Sequence, residues 1–275
     1  MALLAATFWG VRGSIACPGA ATLRYGGDTA CVEIRAGGRL LIFDAGTGIR
    51  RLGAALAAGD GPVEADLFFS HTHLDHVCGL PFFAPLYRPG NRLRLWAGHL
   101  LPERGLEATI AALMAAPFFP VKPGAFAAAP AFRDFRAGET LDLGGGLALR
   151  TAPLAHPDGA TGYRVDFGGR AICYVTDTEH VPGRRDAAIV ALARDADLLI
   201  YDCTYTDARF PAHAGWGHST WEEGARLCDA AGVARLAIFH HDPDHDDATM
   251  DAIAAAAAAA RPGTVVAREG MTLAP

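Results

Sequence analysis

Lysine is almost missing from this chain. Lys122 is the only one, and arginine carries nearly all of the positive charge. The formal net charge is −6, which argues against a general nucleic-acid coat or a binder of anionic membranes. A small phosphate-bearing ligand, or an RNA held on a local patch, stays open. No Cys-x-x-Cys pair occurs either. The six cysteines (Cys17, Cys31, Cys78, Cys173, Cys203 and Cys228) are scattered and read as reduced, buried, small apolar side chains rather than a disulfide framework. The opening stretch "MALLAATFWGVRGS" lacks a basic segment, and its apolar run is too short for a signal peptide or a membrane span. It reads as a first strand, and the expected location is the cytoplasm. No repeat of solenoid length is visible.

What is present is an ordinary globular composition. The chain has 275 residues, 51% hydrophobic and 20% charged, enough to bury a sizeable core within one domain spanning 1–275. Short apolar runs recur, each broken by polar or glycine-rich residues: "RLLIFDAGTG", "ADLFFSHTH", "NRLRLWAGH", "LALRTAPLAH", "AICYVTDTE", "ADLLIYDCT" and "RLAIFHHD". These read as buried strands. Helices are expected at 49–58, about 104–115, about 220–231 and 248–261, the last opened by "DHDD" and closed by "RPG". The fold class is therefore α/β, with helices covering layered sheets. The stretch 99–135 stands apart by its Pro and Phe content. It reads as an insertion that forms a lid, a pocket wall or a dimer contact, with a packed connector as the alternative.

The informative residues stand at strand exits. Asp44, His71, His156, Asp177 and His240 each follow an apolar run, at the rim where α/β folds gather their sites. The segment "HTHLDH", 71–76, places potential ligands at i, i+2, i+4 and i+5. Neither a strand nor a helix keeps all four on one face, but a loop turning into a helix can aim them at two adjacent points. Histidine and aspartate without cysteine suit zinc, with manganese or iron as alternatives. Seven candidates divide into two divalent-metal sites: His71, His73 and His156; Asp75, His76 and His240; and Asp177 shared.

The H-x-H-x-D-H segment, with separated His, Asp and His at later strand ends, resembles the metallo-β-lactamase superfamily. "HTHLDHVCGLPFF", "YVTDTE", "ADLLIYDCTYTD" and "GHSTWEEGARLCDAAGVARLAIFHH" narrow the resemblance to the ribonuclease Z branch and its cyclic-nucleotide phosphodiesterase relatives. The resemblance implies a four-layer αβ/βα sandwich with a binuclear metal site at the sheet edge. It implies that Asp44 holds a ligand histidine from behind, that His218 acts beside the metals on the phosphate or leaving group, and that the protein is a homodimer. No long Gly/Pro-rich arm of the kind that grips the tRNA body is found in the sequence. Position 73 is His rather than Glu, against the flavodiiron-type branch.

The expected enzyme is a binuclear metallohydrolase that cleaves nucleotide phosphodiesters, such as 3′,5′-cyclic nucleotides, with a hydroxide generated between the metals. Asp75 would bind metal and take the proton of the nucleophile, and His218 would serve the phosphoryl oxygen or the departing alkoxide. The alternative substrate is RNA, in a tRNA 3′-processing endoribonuclease. A thioester or lactam hydrolase and a non-catalytic metal-bound binding module stand behind both. Ser219, Thr220 and the pair Phe118–Phe119 are candidate substrate contacts. His241 and His245 are expected to be solvated or to sit behind the ligands. His99, His180 and His213 are expected at the surface, and Arg12 and Arg24 in ion pairs or packing.

Overall fold

The computed structural model describes residues 4–275; the first three residues of the expected N-terminal strand lie outside the described residues. Among the described residues, fourteen strands form two sheets of seven. The first sheet holds β1 (Leu4–Gly10), β2 (Cys31–Ala36), β3 (Arg39–Phe43), β4 (Glu64–Phe69), β5 (Arg92–Ala97), β6 (Ala131–Asp134) and β14 (Thr272–Leu273), in the order β14-β1-β2-β3-β4-β5-β6. The second holds β7 (Thr140–Asp142), β8 (Ala148–Leu154), β9 (Ala160–Phe167), β10 (Arg170–Val175), β11 (Leu198–Asp202), β12 (Arg235–Phe239) and β13 (Thr264–Val266), in the order β13-β12-β11-β10-β9-β8-β7. Pairing is parallel from β3 to β6 and from β10 to β13. β8 and β10 both run antiparallel to β9. β8 therefore leaves the sheet at the same edge as β10, β11 and β12.

Strand alternation separates the layers. In β3, Leu41 and Phe43 enter a core shared by both sheets, with Phe68, Tyr163, Tyr174, Ile200 and Phe239. Leu40 and Ile42 point the other way, under α1 (Ile49–Ala57) and α3 (Leu106–Leu113). On the far side, Cys173, Leu199 and Ile238 pack beneath α4 (Ala187–Ala193), α5 (Trp221–Ala231) and α6 (Asp247–Ala260). The result is helix–sheet–sheet–helix, the expected αβ/βα sandwich. Aromatic rings key the two sheets together: Phe43 lies 5.4 Å from Phe68 and 5.4 Å from Tyr163. Each such ring contributes ~1.5–3 kcal/mol by leaving water.

Local chemistry sets the helix ends. Thr220 accepts the Glu223 N–H at 3.0 Å to start α5, and Gly232 closes it in the left-handed region at φ 70°. Asp246 of the "DHDD" run caps α6 by accepting from Thr249 at 2.8 Å. Within 99–135, Leu106, Ile110 and Met114 are buried against the first sheet, while Phe118 is 89% exposed. All six cysteines are free thiols. Among the described residues no helix is long and apolar enough to cross a membrane.

Candidate metal centre

The site lies where the parallel strands of both sheets end. His71 follows β4 by two residues, and the chain turns at His73 into the single-turn α2 (Leu74–Val77), which carries Asp75 and His76. Three strand-exit residues, Asp44, Asp177 and His240, adopt positive φ angles of 61°, 54° and 60°. Non-glycine residues enter this region at a cost, which Asp and His bear better than most side chains.

The donor atoms fall into two neighbouring groups. His71, His73 and His156 form one; Asp75, His76, Asp177 and His240 form the other, with the donor atoms of each group within 4.8 Å of one another. Asp177 faces both. Its Oδ1 lies 3.8 Å from His71 Nε2 and 3.7 Å from His156 Nε2, and its Oδ2 lies 3.2 Å from both His76 Nε2 and His240 Nε2. Ser14 N–H donates to Asp75 Oδ2 at 2.7 Å. Asp75 is buried, yet His76 and His240 outweigh burial and hold its carboxyl well below the usual range.

Residues behind the ring nitrogens decide which atoms are free. His76 Nδ1 donates to Asp44 Oδ2 at 2.8 Å, and Asp44 also accepts from Ser70 N–H and Oγ and from Tyr174 OH at 2.7, 2.8 and 2.7 Å. His240 Nδ1 meets Thr204 Oγ1 at 3.0 Å, whose hydroxyl donates to Asp202 at 2.8 Å. His156 Nδ1 donates to the Gly217 carbonyl at 2.8 Å. Each contact leaves a bare Nε2 pointing inward. His76 Nε2 and His240 Nε2 thus stand 3.3 Å apart, and His156 Nε2 stands 3.0 Å from His73 Nδ1. Buried His71 Nε2 has no hydrogen-bond partner. Opposed lone pairs need a cation between them, so the residues present fit a pair of divalent metal ions. Without metal, a proton serves. Burial opposes charge on His76, but Asp75, Asp177 and Asp44 outweigh it and raise its pKa well above the ordinary value. Burial holds His71 and His156 below theirs, neutral as ligands must be.

His218 stands beside both groups. Its Nδ1 lies 3.0 Å from Asp202 Oδ2 and 3.8 Å from Asp177 Oδ1, and its ring stacks on His240 at 4.9 Å. Burial disfavours its charge, but Asp202 more than compensates and pushes the pKa up to about 9. The helix cap at this point is Thr220 rather than His218. The sequence does not single out Asp202 and Thr204, although Asp202 ends "LLIYD" and so follows the same strand-exit pattern as the others.

Several expectations need correction. Ser219 and Thr220 are fully buried. The Ser219 hydroxyl is engaged by Tyr201 OH and His180 Nδ1, and that of Thr220 by Asp207 and the α5 cap; neither is presented to a substrate. His99 is half-buried: it bonds Thr72 Oγ1 at 3.2 Å, and burial lowers its pKa to about 4. His241 is neither solvated nor behind a ligand, for it is fully buried and donates to the Ala267 carbonyl at 2.8 Å. His245 is buried too, facing Arg209 at 2.8 Å. Half-buried His180 stacks on Phe210 at 4.2 Å and half-buried His213 on Tyr205 at 4.3 Å. Phe119 packs edge-on to Phe82 at 5.8 Å. Arg12 and Arg24 are structural, as expected. Arg12 donates to three backbone carbonyls, and Arg24 pairs with Asp247 and Asp251.

A two-sheet sandwich with a His/Asp cluster at its edge defines a metallohydrolase of the metallo-β-lactamase type. Residues 39–241 match the family described as the beta-lactamase superfamily domain, and the chain belongs to it. Its relatives lie in the ribonuclease Z-like branch. Ribonuclease Z of Haloarcula marismortui is 26% identical over 262 residues, covering 78% of this chain and 80% of that protein. Among solved structures, the metallo-β-lactamase fold protein YhfI from Bacillus subtilis superposes with a TM-score of 0.72 at 17% identity over 100% of both chains. Human tRNase Z, short form, gives 0.68 at 19% identity over 98% of both.

Proposed function

We propose that the protein hydrolyses phosphodiester bonds and that its substrate is RNA, cut in the manner of a ribonuclease Z. The observation that carries this is the Asp202–His218 pair: a buried carboxylate 3.0 Å from an imidazole keeps it cationic beside both ligand groups. A cation with a proton to give is what a phosphate and a departing alkoxide need.

In this reading His71, His73 and His156 would hold one divalent ion and Asp75, His76 and His240 the other, with Asp177 facing both groups. Zinc is the expected metal, with manganese or iron as alternatives. Bound there, the ions supply Lewis acidity and acidify water at neutral pH. Asp75, fixed by Ser14 N–H, orients the attacking water. His218 Nε2 gives its proton to the leaving oxygen while Asp202 holds Nδ1. Asp44 and Thr204 keep His76 and His240 in the tautomer that presents Nε2.

Likeness to ribonuclease Z over four-fifths of that chain supports RNA ahead of the 3′,5′-cyclic nucleotide expected from the sequence. The acidic balance and lone lysine keep the small substrate as the second reading. The test presents metal-loaded protein with a precursor tRNA, cyclic nucleotides, linear dinucleotides and a thioester. Cleavage at the tRNA 3′ end is the expected result. Turnover of cyclic nucleotides alone would reverse the order, and turnover of the thioester alone would end the phosphodiester reading.

A further inference from the structure

Trp216 is the one tryptophan on the open surface, 62% exposed, while Trp9, Trp96 and Trp221 are half-buried. Solvation of so large an apolar ring costs free energy, so its setting matters. The loop that carries it is held rigidly. Gly215 N–H and Gly217 N–H on either side both donate to the Glu179 carboxylate, at 2.9 and 2.7 Å. Glu179 lies two residues past Asp177, and its own N–H donates to the Ala155 carbonyl, next to His156, at 2.7 Å. The Gly217 carbonyl accepts from His156 Nδ1. The strand exits that carry Asp177 and His156 therefore also hold the Trp216 loop. The indole meets His213 edge-on at 5.1 Å, His213 stacks on Tyr205 at 4.3 Å, and Tyr205 meets His218 edge-on at 6.1 Å. A ladder of rings runs from the proton donor to an open indole face.

We propose that Trp216 is a stacking platform for a nucleobase next to the scissile phosphate, and so a specificity residue of the site. The inference rests on the phosphodiesterase reading and deepens it. Rings on rigid supports bind bases without regard to sequence, because every base offers a π-face. The anchoring fixes where the platform stands relative to His218. It recognises a nucleoside over a bare sugar phosphate, and it works beside the metals rather than through them.

The test is a binding titration of the metal-loaded full chain with adenosine 5′-monophosphate and, in parallel, ribose 5-phosphate. In the parent protein, the nucleotide quenches tryptophan emission and binds about tenfold more tightly than the sugar phosphate. Trp216→Ala abolishes that preference, whereas Trp216→Phe keeps most of it and loses the quench. Unchanged preference in Trp216→Ala overturns the proposal. So does an equal loss of both ligands, which would mark a loop that merely supports His156. A changed oligomeric state with the preference intact also overturns it and assigns the indole to a contact between copies. Failure of the wider reading is distinguishable: base preference would persist while no phosphodiester is cleaved.

Discussion

At the scale of single residues, the proposed chemistry turns on one proton. Asp202, 3.0 Å from His218 Nδ1, favours the charged imidazole. The folded pKa of His218 is raised to about 9, above its unfolded value of about 6.5. The stabilisation from this pair is fully present below about pH 6.5 and is lost as the pH rises through 9. In metal-free protein, the His218 ring resonances followed by NMR should titrate near pH 9, and Asp202→Asn should move the midpoint toward neutrality. On the proposed mechanism the same variant should lower turnover about 10²- to 10⁴-fold, the usual worth of a general acid. His218→Ala should cause a similar loss without unfolding. An unmoved midpoint in Asp202→Asn would remove Asp202 from the mechanism.

At the scale of elements, the strands and helices that carry the site were legible and the supporting ones were less so. Apolar runs bounded by turns marked β1, β3, β4, β5, β8, β10, β11 and β12, and α5 and α6 start and stop within a residue or so of expectation. β9 was missed because "ATGYRVDF" mixes Gly, Arg and Asp into its alternation, and α4 because it is only 7 residues long. The ligand set was legible because imidazoles and carboxylates at strand exits break the apolar pattern. Tyr174 behind Asp44 was not, because a tyrosine in the middle of an apolar strand looks like any core aromatic until the opposing sheet arrives. Backbone approach was equally hidden. Gly217 has φ 84°, and a Cβ there would lie 2.4 Å from His156 Nδ1. Gly217→Ala should cost about 1–3 kcal/mol, seen in urea melts, and should lower metal content measured by elemental analysis. Asp66 on β4 makes a different prediction. Burial opposes its charge, but Arg94, Arg39 and Trp96 at 2.6–3.0 Å hold its pKa below the ordinary value. Its contribution is present above the unfolded pKa of about 4 and is lost as the pH falls further. Asp66→Asn should flatten the acid limb of the stability curve below that pH.

At the scale of the whole molecule, the two sheets each bring an incomplete set. The first supplies His71, His73, Asp75 and His76, the second His156, Asp177 and His240. Metal binds the folded arrangement far better than the unfolded chain, so chelation should lower the melting temperature. Free metal at a hundredfold excess over its dissociation constant is worth about 2.7 kcal/mol, or roughly 5 °C for a chain of this size. A melting curve unaffected by chelator and by added zinc would contradict this.

Asp177 joins donors from both sheets, since its Oδ1 faces His71 and His156 and its Oδ2 faces His76 and His240. Cut the chain at the exposed turn around residues 136–139, between β6 and β7, and neither fragment keeps a full complement of donors. The separated pieces would behave as the two parts of a lock, with the cation as key: reassembly would report metal, and metal would report reassembly.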